Sequence, residues 1–138
     1  MTTSRKKSIT IALMDPPYES GTTTTALRIV DAALRKGISV NVFAYEGAVN
    51  LTMKGQAPHP NPIKGTSIEE QDHPSTAKFI AGLFTLGQSN PKLEWVNCGL
   101  CIDERGSGDW IDGPRRGGPG DLFKFSKEST NTLVIGTR

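Results

Sequence analysis

The chain has 138 residues, 36% of them hydrophobic and 22% charged, with 16 basic and 14 acidic side chains and a net charge of +2. That length favours one domain, residues 1–138, large enough to hide about two-thirds of its unfolded surface. The near-balanced charge excludes the basic stripe of a nucleic-acid binder, and no run approaches the roughly 20 apolar residues of a membrane span.

Residues 1–7 are polar and basic, with Arg5, Lys6 and Lys7, and read as a flexible tail. The apolar run 9–14 is too short for the core of a secretory signal and is followed by Asp15 and two prolines. A reducing, cytoplasmic location is therefore expected. Residues 8–14 are apolar or β-branched at most positions, as in a strand buried on both faces. Two prolines and a glycine in 15–21 end it. A helix then opens near Thr22 to Thr25, with Ala26, Val30, Ala33 and Leu34 on one face and Gly37 as its stop. Residues 39–44 form the next strand. A strand–helix–strand unit with such short joints predicts a parallel sheet.

Residues 48–54 suggest a short helical piece, and 55–66, with three prolines, a loop or lid. A second helix is expected from Pro74, proline being tolerated in a first turn, with Ala77, Ile80, Ala81 and Phe84 inward. Residues 92–97 read as a third strand, with Trp95 in the core. A helix through Arg105 follows. Residues 106–120, with six glycines and two prolines, read as loop; Trp110 within it caps the core or meets a partner. Residues 119–129 suggest a last helix, with Leu122 and Phe125 inward, and 132–136 a final strand. The fold class expected is α/β: one open, mostly parallel, flavodoxin-like sheet with helices on both faces.

The chemistry-bearing residues are the two cysteines, Cys98 and Cys101. Cys98 follows a strand directly and stands at the start of a helix, beyond the carboxyl edge of the sheet, where reactive groups of open α/β sheets collect. Unpaired amides and the dipole at a helix start favour an anion, here a thiolate. Gly99 admits backbone amides to the sulfur, and Cys101 lies one turn on. Two buried, inert thiols are the bland alternative. Cys-Gly-Leu-Cys also fits a thioredoxin-like exchanger, although that motif normally comes early in its domain. A metal site would need about four ligands; the pair supplies two, and His59 and His73 sit in or beside the proline-rich loop. No metal and no cofactor are expected. Arg115 and Arg116 read as solvated residues able to receive an anionic donor or an acidic partner face.

The segment 96–106, Val-Asn-Cys-Gly-Leu-Cys-Ile-Asp-Glu-Arg-Gly, resembles the active-site segment of the DsrE/TusD sulfur-relay family. There a cysteine follows a strand and an Arg-Gly pair comes seven and eight residues later, as Arg105 and Gly106 do after Cys98. Pro16, Pro17 and Tyr18 after the first strand, and Tyr45 to Val49 after the second, are similar too. The resemblance implies a cytoplasmic sulfurtransferase carrying sulfur as a persulfide on Cys98, with Tyr18, Gly99 and Arg105 near it. It also implies a trimeric or hexameric assembly and hand-over to a small TusA-like carrier. Tyr18 reaches the thiol if the first and third strands are neighbours, and Asp15 is then expected to be paired or turned away. Cys101 departs from the family pattern, which leaves a two-cysteine redox enzyme, or a non-catalytic subunit, as alternatives.

Overall fold

In the computed structural model, residues 6–57, 65, 67 and 75–137 are described. Strand β1, Ser8–Leu13, has Ile11, Ala12 and Leu13 buried in succession because both of its faces are covered. Helix α1, Gly21–Arg35, buries Thr23, Ala26, Leu27, Val30, Ala33 and Leu34 at the three-to-four-residue spacing of an amphipathic helix. Gly37 adopts φ 79, and the amides of Gly37 and Ile38 return to the carbonyls of Leu34 and Ala33 at 3.0 and 2.9 Å. This closes the helix in a Schellman turn and delivers the chain at once into β2, Ser39–Ala44.

A 3₁₀ helix, Glu46–Thr52, follows. Helix α2, Thr76–Leu86, starts behind Ser75, whose hydroxyl accepts the Lys78 N–H. Pro74, His59, His73 and most of the 55–66 loop lie outside the described residues, as do residues 1–5 of the 1–7 tail. Strand β3, Leu93–Cys98, leads into α3, Gly99–Arg105. Strand β4, Arg115–Gly117, helix α4, Pro119–Glu128, and strand β5, Asn131–Ile135, complete the chain.

Among the described residues five strands form one parallel sheet, in the order β4-β3-β2-β1-β5. The chain winds outward from β1 to β4, then α4 carries it back to place β5 against β1. Helices α1 and α2 pack together on one face, around Ile11, Val42, Val30, Ile80 and Trp95. Helices α3 and α4 cover the other, around Phe43, Val49, Val96, Ile102, Phe125 and both cysteines. The expected open sheet with helices on both faces is what forms.

Three expectations are corrected. Residues 106–120 are not all loop, since 115–117 join the sheet as β4, while the helix expected over 119–129 does begin at Pro119. On α2, Ala81 is exposed and Leu83 is buried instead, because the face continues from Ile80 by three residues. Strands β1 and β3 are not neighbours, because β2 lies between them. Trp95 is buried as expected, and Trp110 packs on the cysteine side of the core with its indole N–H donating to the Pro114 carbonyl at 3.0 Å.

Candidate active site

The end of β3 is pinned by a buried polar chain. The Trp95 indole donates to Asn97 Oδ1 at 3.1 Å, and Asn97 Nδ2 donates to the Thr52 hydroxyl at 3.0 Å. Asn97 and Thr52 are wholly buried, so each bond replaces water that the core excludes. Cys98 comes next, with extended backbone and 6% of its surface exposed, and no side-chain cap bond holds its sulfur. Helix α3 is only seven residues long, about two turns, so side chains must supply most of the charge control at its start.

Cys101 is 7% exposed and packs in the same buried cluster as Cys98, and both thiols are free. The Glu46 N–H donates to Cys101 Sγ at 3.1 Å, and Glu46 holds a positive φ of 52, uncommon for a residue with a side chain. Burial pushes the Cys101 thiol up, the Glu46 N–H pulls against it, and the neighbouring Cys98 adds to the rise. Burial and the Glu46 and Cys101 charges likewise raise Tyr45.

Arg105 acts on this second thiol's side. Its Nη2 pairs with Glu46 Oε2 at 2.8 Å and its Nη1 reaches the Cys101 carbonyl at 3.4 Å. Gly106, at φ 57, ends α3 with the left-handed residue that such a stop requires. The Arg-Gly pair therefore terminates α3 and ties it to the 3₁₀ helix. On the opposite side, Arg116 forms a two-pronged pair with Asp103, at 3.0 and 2.7 Å. This pair holds the Asp103 carboxyl below the ordinary carboxylate range. The Arg116 guanidinium lies against Gly99, where a Cβ would stand 2.5 Å from Nε.

Tyr18 is not brought to the cysteines. With β2 between β1 and β3, it lines a separate cavity of about 640 Å³ with Pro17, Asn50, Met53 and Gln56. A second cavity, about 830 Å³, opens beyond the carboxyl ends of β1 and β2 and is lined by Asp15, Glu19, Glu46, Asn50 and Arg105. Asp15 is engaged, its Oδ2 accepting from the Ser20 hydroxyl at 2.7 Å. Among the described residues no group of three or more His, Cys, Asp or Glu could hold a metal ion. Asn97, Thr52 and Asp103 were not singled out from sequence. An amide side chain directly before Cys98, at the end of a strand, was the one signal available for Asn97.

The DsrE/DsrF-like family model matches residues 7–135. The chain belongs to the DsrE/DsrF-like family. An uncharacterised protein of Methanopyrus kandleri is 31% identical over 129 residues, covering 92% of this chain and 93% of that one. Another, of Methanocaldococcus jannaschii, is 29% identical over 128 residues, covering 91% and 97%. Among solved structures, the YchN protein of E. coli superposes with a TM-score of 0.66 at 20% identity, covering 94% of this chain and 98% of that one. A protein of unknown function from Methanobacterium thermoautotrophicum gives 0.65 at 11% identity, with the same coverage. The family is one of sulfur-relay components, and at these identities the two structures speak for the fold. No helix among the described residues is long and apolar enough to cross a membrane.

Proposed function

We propose that this protein is a sulfurtransferase, or sulfur carrier, that takes sulfane sulfur as a persulfide on Cys98 and hands it to a partner thiol. The observation that carries this reading is the placing of Cys98 at the carboxyl end of a pinned strand, with Cys101 on one side and the Arg116–Asp103 pair on the other. The thiolate attacks the outer sulfur of a persulfide or thiosulfonate donor, whose inner sulfur leaves with the electron pair. An acceptor thiolate then attacks the outer sulfur of the Cys98 persulfide and regenerates the thiol.

Residues 1–138 act in this reading as one DsrE-like unit in the reducing cytoplasm, which keeps both thiols free. Assembly with further copies and hand-over to a TusA-like carrier belong to the same proposal. They are supported by the exposed Leu100 beside the thiols and by exposed Phe123 and Val134 elsewhere. Incubation with thiosulfate or a low-molecular-weight persulfide is expected to add about 32 Da per chain, removable by a thiol reductant. No gain in mass contradicts the proposal.

The packing of Cys98 and Cys101 in one buried cluster supports one second reading, a thiol–disulfide couple. It requires a reversible intramolecular bond in a redox titration, with two thiols lost together. An unchanged thiol count across the titration removes it.

A further inference from the structure

Arg116 is the charged group of the site to which sulfur transfer alone assigns no task. Strand β4 lies beside β3 with Arg116 opposite Asn97 and Gly117 opposite Cys98. The two arginines of β4 pair with different helices. Arg115 goes to Asp121 on α4, 2.9 Å away, and Arg116 goes to Asp103 on α3. Asp103 takes the end of the guanidinium, through Nη1 and Nη2. The side edge, Nε and Nη2, carries two further N–H groups. That edge lies against Gly99, 2.5 and 2.8 Å from where a Cβ would stand. Gly99 adjoins Cys98 in the chain, at the first residue of α3. The Arg116 side chain is 53% exposed, so a small solute reaches it.

We propose that Arg116 is a specificity-determining residue that selects anionic sulfur donors, with Asp103 as the positioning residue that aims its side edge past Gly99 toward Cys98. The inference rests on the reading of Cys98 as the sulfur acceptor. With thiosulfate, a bond forms between Cys98 Sγ and the outer sulfur as the bond to the sulfonate sulfur breaks, and sulfite leaves with the electron pair. A thiolate and a dianion give a persulfide anion and a dianion, so charge and electrons balance without an added oxidant or proton. Two parallel guanidinium donors match two sulfonate oxygens, a geometry that a lysine ammonium supplies as charge only.

The test is competition between iodoacetate and iodoacetamide for Cys98 in the wild type, R116Q and R116K, with the adduct located by fragment-resolved mass spectrometry. The same thiolate attacks both reagents, displacing iodide, so a general change in its reactivity cancels in the ratio of rates. The iodoacetate-to-iodoacetamide ratio is expected to fall severalfold in R116Q, the order of effect of one nearby unit charge lost in water. It is expected to be largely restored in R116K and, in the wild type, to fall with added salt. A ratio unchanged in R116Q, or indifferent to salt, overturns the proposal. Thiosulfate loading of the same proteins separates the two readings. No loading with an Arg116-dependent ratio removes sulfur transfer and retains the anion site, whereas loading with an unchanged ratio removes the anion site alone.

Discussion

At the residue scale the site depends on a missing side chain. The three atoms nearest a methyl group at Gly99 all belong to the movable end of Arg116, and alanine favours a helix over glycine by up to about 1 kcal/mol. Gly99→Ala is therefore expected to leave the melting temperature unchanged or slightly raised while it displaces the guanidinium and lowers the iodoacetate-to-iodoacetamide ratio at Cys98. Thermal melts beside the alkylation assay check both halves. Asn97→Ala is expected to act the other way. It strands the Trp95 indole and the Thr52 hydroxyl, both buried, at a cost of about 2 kcal/mol, which urea unfolding measures. Cys98 and Cys101 were legible in the sequence because an apolar run, a glycine and a three-residue spacing are local signals. The Arg116–Asp103 pair was not legible, because thirteen residues separate its members and only the pairing of β4 with β3 closes the gap.

At the element scale, β4 and α4 show where local reading stops. Three residues flanked by glycine and proline offer no alternation to read, so β4 exists through its neighbour β3 alone. Helix α4 was legible from its proline start and its Leu122 and Phe125 spacing. What holds its first turn is Asp121, whose Oδ2 accepts the Gly118 N–H and whose Oδ1 takes Arg115, both at 2.9 Å. The Gly118 N–H, with Arg115 assisting, holds the Asp121 carboxyl below its ordinary value of 3.8. A lowered carboxyl contributes stability that is present above pH 3.8 and lost as pH falls through the folded value. Asp121→Asn is expected to cost about 1 kcal/mol near neutrality, as for a lost helix cap, and to flatten part of the acid decline. Denaturant midpoints from pH 7 down to about 2.5 read this out.

At the scale of the whole molecule, the strand–helix–strand pattern specified a parallel sheet but not its order. Short joints require right-handed crossovers, yet they allow β3 to stand beside β1 or on the far side of β2, as it does here. The second arrangement moved Tyr18 away from the thiols. The order also sets the alkaline behaviour, since it brings Tyr45, Glu46 and Cys101 together at the end of β2. Cys101 and Tyr45 are held above their ordinary values of 9.0 and 10.0. The folded chain thus keeps protons that the unfolded chain releases, and stability is intact below about pH 9 and falls as pH rises through the folded values. Cys101→Ala is expected to make that alkaline loss shallower, as urea midpoints at pH 7 and 10 would show.

The most direct measurement is the location of sulfur after thiosulfate or persulfide treatment of the wild type and Cys98→Ser, with fragmentation between Cys98 and Cys101. The added sulfur, about 32 Da, is expected on Cys98 in the wild type and nowhere in Cys98→Ser. Sulfur located on Cys101, or an equal adduct in both proteins, would contradict the assignment of Cys98 as the working thiol.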